Sequence, residues 1–155
     1  MDLFAEKLAE MQQAEADRQA PKGMWLSHHW PVHHDERCVL VGQHQVCRRC
    51  SALYPIGFAV AGLSAAGLAL WPDSWDPGPI WLLSIPATIA YVGEALGWFR
   101  YRSSWQVMTM LIAALGFGRG LGYELIERWH PYFWQPVATF GTIWMIATLI
   151  NHQRR

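Results

Sequence analysis

Charged side chains are scarce in this chain of 155 residues. Asp, Glu, Lys and Arg make up 15% of it, against about 25% in a typical soluble domain. The 12 basic and 12 acidic residues cancel in net charge. The basic residues are not clustered with aromatic side chains, as they are in nucleic-acid grooves. The composition therefore argues against a nucleic-acid partner.

Other features are also missing. The first ten residues, MDLFAEKLAE, mix acidic, basic and apolar side chains, so we expect no secretory signal peptide. No internal repeat or low-complexity tract is visible. No histidine lies inside the four apolar segments described next, and this weakens any hypothesis of a membrane-embedded haem carrier.

Residues 53–150 contain apolar segments of about 20 residues, which is the length that a transmembrane helix needs. The four segments are 53–71, 79–99, 105–123 and 132–150. They are apolar on all faces, unlike the helices of a soluble bundle. Tryptophans stand at or near their ends, as in the aromatic belts of membrane proteins. We therefore predict an all-α fold, a four-helix transmembrane bundle with an N-terminal amphipathic helix and a small Cys/His metal-binding head.

The basic residues predict the orientation of such a bundle. Outside the four segments, every Lys and Arg except Arg128 falls on one side, and the loop on the other side carries Asp73 and Asp76. The positive-inside rule then places both termini in the cytoplasm. Because the connections are short, neighbouring helices are expected to be antiparallel.

The chain outside the apolar segments divides into three parts. Residues 1–22 predict an amphipathic helix, with Phe4, Leu8 and Met11 on one face and Pro21 at its end. Its acidic excess disfavours anionic lipid, which leaves docking on protein or a solvated terminus. Residues 23–52 form the predicted head, 53–150 the bundle, and 151–155 a cytoplasmic tail.

The head has the composition of a metal site. The stretch 28–50 reads HHWPVHHDERCVLVGQHQVCRRC and contains all three cysteines. Three Cys and one His make a standard closed zinc site, and the spacing favours His34, Cys38, Cys47 and Cys50 as ligands. His33 and His44 are alternatives to His34. An open catalytic site, another transition metal and thiol redox chemistry at Cys47 and Cys50 are the competing hypotheses.

Two charges and four glycines mark the interior of the predicted bundle. Glu94 and Arg119 are candidate intramembrane polar residues, which are normally paired or lie near the interface. We consider a Glu94–Arg119 pair, although the predicted boundaries would separate the two by roughly 15 Å. A proton or substrate path is the functional alternative. The glycine pairs Gly116/Gly120 and Gly118/Gly122 have the spacing of close helix packing, and a glycine-lined cavity for a lipid or quinone is the alternative.

The order of these features resembles a family of small predicted bacterial membrane proteins of unknown function. The resemblance covers roughly residues 28–125 and is carried mainly by a C-x-R-C pair with histidines before it. The matching residues are His33, His34, Arg37, Gly42, Cys47, Arg49, Cys50, Tyr54 and Gly57, followed by a looser glycine pattern. It implies a multi-span protein of the bacterial inner membrane with a Cys/His head, and it implies no activity.

Together these patterns predict a small integral membrane protein with a structural zinc ion. We expect it to lie in the lipid bilayer, to bind a protein partner there, and to anchor or accompany a larger membrane complex. A metal-handling protein or metalloenzyme with an open metal site and a C-x-x-C thiol redox protein are the alternatives. The pattern assigns no catalytic residue.

Overall fold

A computed structural model describes residues 7–8, 10–12, 37–41 and 44–153 of the chain. The chain divides into two compact units, Met1–Cys47 and Arg48–Arg155. The first contains strands β1 (Cys38–Val41) and β2 (His44–Cys47). The second contains the helices α1 (Arg48–Ala65), α2 (Gly78–Leu82), α3 (Ile85–Ala95), α4 (Ser103–Ile126) and α5 (Pro131–Gln153), with a short 3₁₀ helix at Asp73–Trp75 between α1 and α2.

The first unit contains an antiparallel hairpin where the sequence predicts an all-α protein with a Cys/His head. Val41 pairs with His44, and Cys38 at the other end pairs with Cys47. The apolar and β-branched run CVLV suits a strand, which explains why β replaces α here. The described residues of the N-terminal segment are helical and exposed, and they are Lys7, Leu8, Glu10, Met11 and Gln12.

Glycines end two of the helices earlier than the hydrophobic pattern predicts. Gly67 and Gly97 have φ angles of 79° and 77°, a conformation that glycine adopts without steric cost. After α1, the N–H groups of Gly67 and Leu68 donate to the carbonyls of Ser64 and Leu63. Gly97 closes α3 with the same pair of backbone bonds. This is the Schellman motif, and it satisfies carbonyls that the helix end leaves open.

Proline divides the second predicted segment, 79–99, into α2 and α3. A proline inside a helix lacks an N–H donor and its ring clashes with the carbonyl four residues earlier. For Pro86 that carbonyl belongs to Leu82, the last residue of α2. Pro86 instead lies in the first turn of α3, where the missing N–H costs nothing. The 11 residues of α3 span only about 17 Å.

The predicted four-helix transmembrane bundle is therefore wrong. Among the described helices, α5 alone is long and apolar enough to cross a membrane. The helix α1 has 18 residues and begins with Arg48 and Arg49, so its apolar part is shorter than the predicted span. The helix α4 has 24 residues but carries Gln106, Arg119 and Glu124. The 23 residues of α5 extend roughly 35 Å, enough for a hydrocarbon core of about 30 Å.

The helix α4 packs closely on α1 through glycines. A Cβ atom added at Gly118 would lie 2.5 Å from the carbonyl oxygen of Gly57 and 2.6 Å from the Cβ of Val60. One added at Gly122 would lie 2.6 Å from the Cβ of Ser64. The other pair, Gly116 and Gly120, faces α2 and the start of α5 instead. The two glycine pairs of α4 thus allow close approach to three helices, α1 for one pair and α2 and α5 for the other.

We expect Gly118→Ala to destabilise the helical unit by about 1–3 kcal/mol, because the added methyl group meets backbone of α1. Gly62→Ala on α1 is the matched control, since an added Cβ there meets nothing within 4 Å. The control should be neutral or stabilising by up to about 1 kcal/mol. Denaturant unfolding followed by circular dichroism measures both. Equal stability of the two variants would contradict the close packing of α1 and α4.

Candidate functional site

Two of the three cysteines lie in the hairpin, and the third lies in the helical unit. Cys38 and Cys47 occupy directly opposed positions in the hairpin, and both are buried. Opposed residues in antiparallel strands have Cα atoms about 4.5–5.5 Å apart. Cys50 lies in the first turn of α1. All three cysteines are thiols.

The predicted zinc ligands are only partly described. His33 and His34 lie outside the described residues, and His44 is exposed at the far end of the hairpin from the cysteines. Within the described part of the chain, no three His, Cys, Asp or Glu side chains gather closely enough to hold a metal ion. The ligand set of His34 (or His33) with three cysteines therefore stays a prediction.

Arg119 is the centre of a buried polar network in the helical unit. It lies on α4 and is only 4% exposed. Its Nε and Nη2 donate to Oδ2 of Asp76 at 3.0 and 2.8 Å, and Nη2 also bonds to Asp73. The hydroxyl of Tyr123, one helical turn further, donates to the same Asp76 oxygen at 2.7 Å. The indole of Trp71 donates to Oδ1 of Asp76 at 2.8 Å.

Asp76 thus accepts hydrogen bonds from three side chains, and its own side chain is completely buried. Charge-assisted bonds of this kind are stronger than neutral ones. Burial lowers the pKa of Arg119, but the hydrogen bonds to Asp76 and Asp73 outweigh it, so this pKa lies above its ordinary value. Burial and the bond to Asp76 raise the pKa of Tyr123 to about 12. Both groups therefore keep their protons at neutral pH.

A second buried network lies near the other end of α4. Arg49 of α1 forms an ion pair with Glu94 of α3. Gln106 of α4 donates to the same Glu94 oxygen at 3.0 Å. The guanidinium of Arg49 also lies 5.1 Å from the ring centroid of Tyr91, within cation–π range. One carboxylate thereby connects three helices.

Instead of the Glu94–Arg119 pair considered from the sequence, Arg119 pairs with Asp76 and Glu94 pairs with Arg49. Gln106 and Arg119 are 13 positions apart on α4, which is roughly 20 Å along the helix. The estimated gap in the sequence already indicated that the two charges belong to different ends. The sequence does not reveal these partners, because Asp76 lies in a loop and Arg49 lies next to Cys50, and neither position indicates an ion pair with a distant helix.

An aromatic cluster surrounds the turn between α4 and α5. The ring of His130 stacks on Tyr123 with centroids 4.6 Å apart. Glu124 accepts bonds from the backbone N–H groups of Trp129 and His130 and from the indole of Trp134. Desolvation raises the pKa of Glu124, but these bonds outweigh it, so the net shift is downward. The ionised carboxylate of Glu124 therefore holds the turn in place.

A cavity of about 280 Å³ lies within the helical unit, where α5 meets the other helices. Its walls are largely apolar, and they include the aromatic side chains of Phe117, Phe133, Phe140 and Trp144. Gly116 and Gly120 of α4 also line it, as does Gly141 of α5. Among the described residues that line it, none carries a charged side chain. Such a cavity suits an apolar ligand rather than a charged substrate.

No family model, no curated protein and no solved structure matches this chain. The resemblance to bacterial membrane proteins with a C-x-R-C signature thus stays a prediction from the residues that carry it.

We expect Asp76→Asn to destabilise the helical unit by about 3–5 kcal/mol, because it leaves the buried Arg119 charge without its main counter-charge. Asp73→Asn is the matched control. Its side chain is 81% exposed, so its loss should cost less than about 1 kcal/mol. Denaturant unfolding of both variants checks this. A similar cost for both would show that Asp76 is not the principal partner.

We expect the purified chain to bind one zinc ion, and Cys47→Ala to lose it, since a closed site needs all its ligands. Val46→Ala, the preceding residue on β2, is the control and should retain the metal. Metal analysis by plasma mass spectrometry and thiol titration measure both. Full zinc content in Cys47→Ala, or metal-free protein with reactive thiols, would contradict the ligand set.

Proposed function

We propose that this chain is a small integral membrane protein that anchors or accompanies a larger membrane complex, with α5 as its membrane-crossing helix. The observation that carries the proposal is the contrast between the apolar sequence of α5 and its exposure. Only 11% of its most apolar 18-residue window is buried. A core helix of a soluble protein would be mostly buried, and burial of its apolar face would stabilise it.

Large apolar side chains of α5 point away from the rest of the unit. Met145, Ile146 and Leu149 are 58%, 50% and 55% exposed. Water would hydrate these side chains at a cost of about 25 cal/mol per Å². A bilayer removes that cost, because lipid tails are as apolar as the side chains. The position of α5, late in the chain, also differs from that of a signal sequence.

Exposed apolar residues on the other helices support an accessory role. Phe58 of α1, Ile89 of α3 and Met108 of α4 are 59%, 56% and 56% exposed. Large exposed apolar patches mark membrane or protein interaction surfaces. The buried charges Arg49, Glu94 and Arg119 bond to groups of the same unit. These networks therefore support the fold of an anchoring subunit rather than a catalytic centre.

The head and the location belong to the same proposal. Structural zinc would stabilise a small head with little core of its own, and it would present the head to a protein partner. We place the protein in the inner membrane of a bacterium, as the resemblance implies. The prediction that both termini lie in the cytoplasm depends on an even number of membrane spans. With α5 alone crossing, the C-terminal tail lies on the opposite side from the residues before α5.

The hairpin register favours a second candidate, thiol redox chemistry. Opposed strand positions place Cα atoms within the range of about 4.4–6.8 Å that a disulfide requires. The competent pair would then be Cys38 and Cys47, not the C-x-x-C pair that the sequence suggested. The metal and thiol measurements on Cys47→Ala separate this candidate from zinc binding.

We expect the double variant Ile143→Arg/Ile146→Arg to leave the membrane fraction, because each arginine near the centre of a span costs about 2.5–3.5 kcal/mol. The wild type should resist extraction with alkaline carbonate. Immunoblots of the membrane and soluble fractions measure both, and a reporter fused to the C-terminus gives the side of the tail.

The matched control is Leu40→Arg/Val41→Arg on β1, where the replaced side chains are 69% and 58% exposed. It adds the same charge outside α5 and should stay in the membrane. Wild-type protein in the carbonate supernatant would refute the membrane proposal. Retention of the α5 double variant would show that another part of the chain is the anchor.

A further inference from the structure

We propose that the cavity beside α5 binds an acyl chain of a membrane phospholipid. The inference rests on the proposed membrane function and adds a specific ligand class to it. The cavity lies against the helix that we assign to the bilayer, and α5 contributes Phe133, Phe140 and Trp144 to its walls. A lipid in this position would fill the space between α5 and the other helices.

The size and lining of the cavity define the ligand. A dry apolar cavity of about 150 Å³ takes up benzene, and this cavity has about 280 Å³. Met110 and Ala113 of α4 lie in its wall and are only 3% and 7% exposed. A flexible alkyl chain fits such a space, because it needs no hydrogen-bond partner.

Two polar side chains of the wall, Trp144 and Ser84, already have hydrogen-bond partners within the protein. The indole N–H of Trp144 donates a hydrogen bond to Thr88 Oγ1 at 3.2 Å. The hydroxyl of Ser84 donates a hydrogen bond to the carbonyl oxygen of Ile80 at 3.1 Å. A free fatty acid would need a cation for its carboxylate. Since the described residues of the lining carry no charge, a charged headgroup would stay outside, as that of a phospholipid would.

The cavity is continuous with the surface that we assign to lipid. Val137 of α5 lines the cavity and is also 37% exposed. Tyr54 of α1 lines it and is 45% exposed. An acyl chain from the surrounding bilayer would therefore enter the cavity beside these partly exposed lining residues.

Gly141 offers a direct test. It lines the cavity, yet a Cβ added there meets nothing within 4 Å. Gly141→Leu therefore adds an apolar side chain at the cavity wall without a clash. The matched control is Gly62→Leu, because Gly62 is also helical and unobstructed, and it is not part of the lining.

The probe is a phosphatidylcholine with a diazirine in one acyl chain, incorporated into phosphatidylcholine nanodiscs with the full-length protein. After irradiation, peptide mass spectrometry compares two methionines. Met110 is buried in the cavity wall, whereas Met145 is 58% exposed on α5. Labelling of Met110 reports a chain inside the cavity, and labelling of Met145 reports the surrounding lipid.

We expect both methionines to be labelled in the wild type. Gly141→Leu should reduce Met110 labelling about fourfold or more, since the loss of one buried methylene group alone lowers affinity by roughly that factor. Met145 labelling should stay unchanged, and Gly62→Leu should match the wild type.

Each of the other outcomes refutes either the acyl-chain site or the proposed membrane function. Absent labelling of Met110, or unchanged labelling in Gly141→Leu, refutes the acyl-chain site while Met145 labelling leaves the membrane proposal intact. Absent labelling of Met145 refutes the proposed membrane function instead. A free diazirine fatty acid that labels Met110 more strongly than the phospholipid would refute the phospholipid as the source.

Discussion

The pairing of Arg119 with Asp76 is the interaction on which the helical unit depends. A buried guanidinium without a counter-charge would be prohibitively costly, so α4 can keep Arg119 inside only if the segment between α1 and α2 brings Asp76 to it. Trp71 and Tyr123 complete the bonding of the Asp76 carboxylate. Because Gly67 ends α1 early, the segment that follows can turn back toward α4 and bring Asp76 to Arg119.

The Arg49–Glu94 pair meets the same requirement at the other end of α4. It connects α1 to α3, and Gln106 attaches α4 to the same carboxylate. Replacing a buried ion pair by apolar side chains is often neutral for stability. We therefore assign these two networks a role in specifying which helix ends meet, while the close glycine contacts of α4 with α1 provide the packing.

Local features of this fold were predictable from the sequence, and long-range partners were not. Helical segments near α1, α4 and α5 follow from the apolar runs. The break before Pro86 and the stops at Gly67 and Gly97 are sequence signals whose weight becomes clear only with backbone geometry. The partners of Arg119 and Glu94 depend on tertiary contacts between residues 43 and 45 positions apart. No local pattern encodes such a separation.

The prediction of four membrane spans failed for a related physical reason. Mean apolarity does not distinguish a side chain that faces lipid from one that faces another helix. In α4, the polar side chains of Gln106, Thr109 and Arg119 are buried within the helical unit. This helix therefore does not expose them to lipid or to water. The hairpin likewise escaped prediction, because a Cys/His-rich segment suggests ligands before it suggests strands.

The helix α5 differs from the others in how it is attached. The described side-chain hydrogen bonds between α5 and α3 are Tyr91 to Thr148 and Trp144 to Thr88. The cavity lies beside this contact, and one of the residues that lines it, Gly141, has no packing reason to lack a side chain. A tightly packed soluble core would tend to fill such a space, since a void forfeits dispersion contacts. The space between α5 and its neighbours and the apolar side chains on its outer face both fit the membrane position that we propose for this helix.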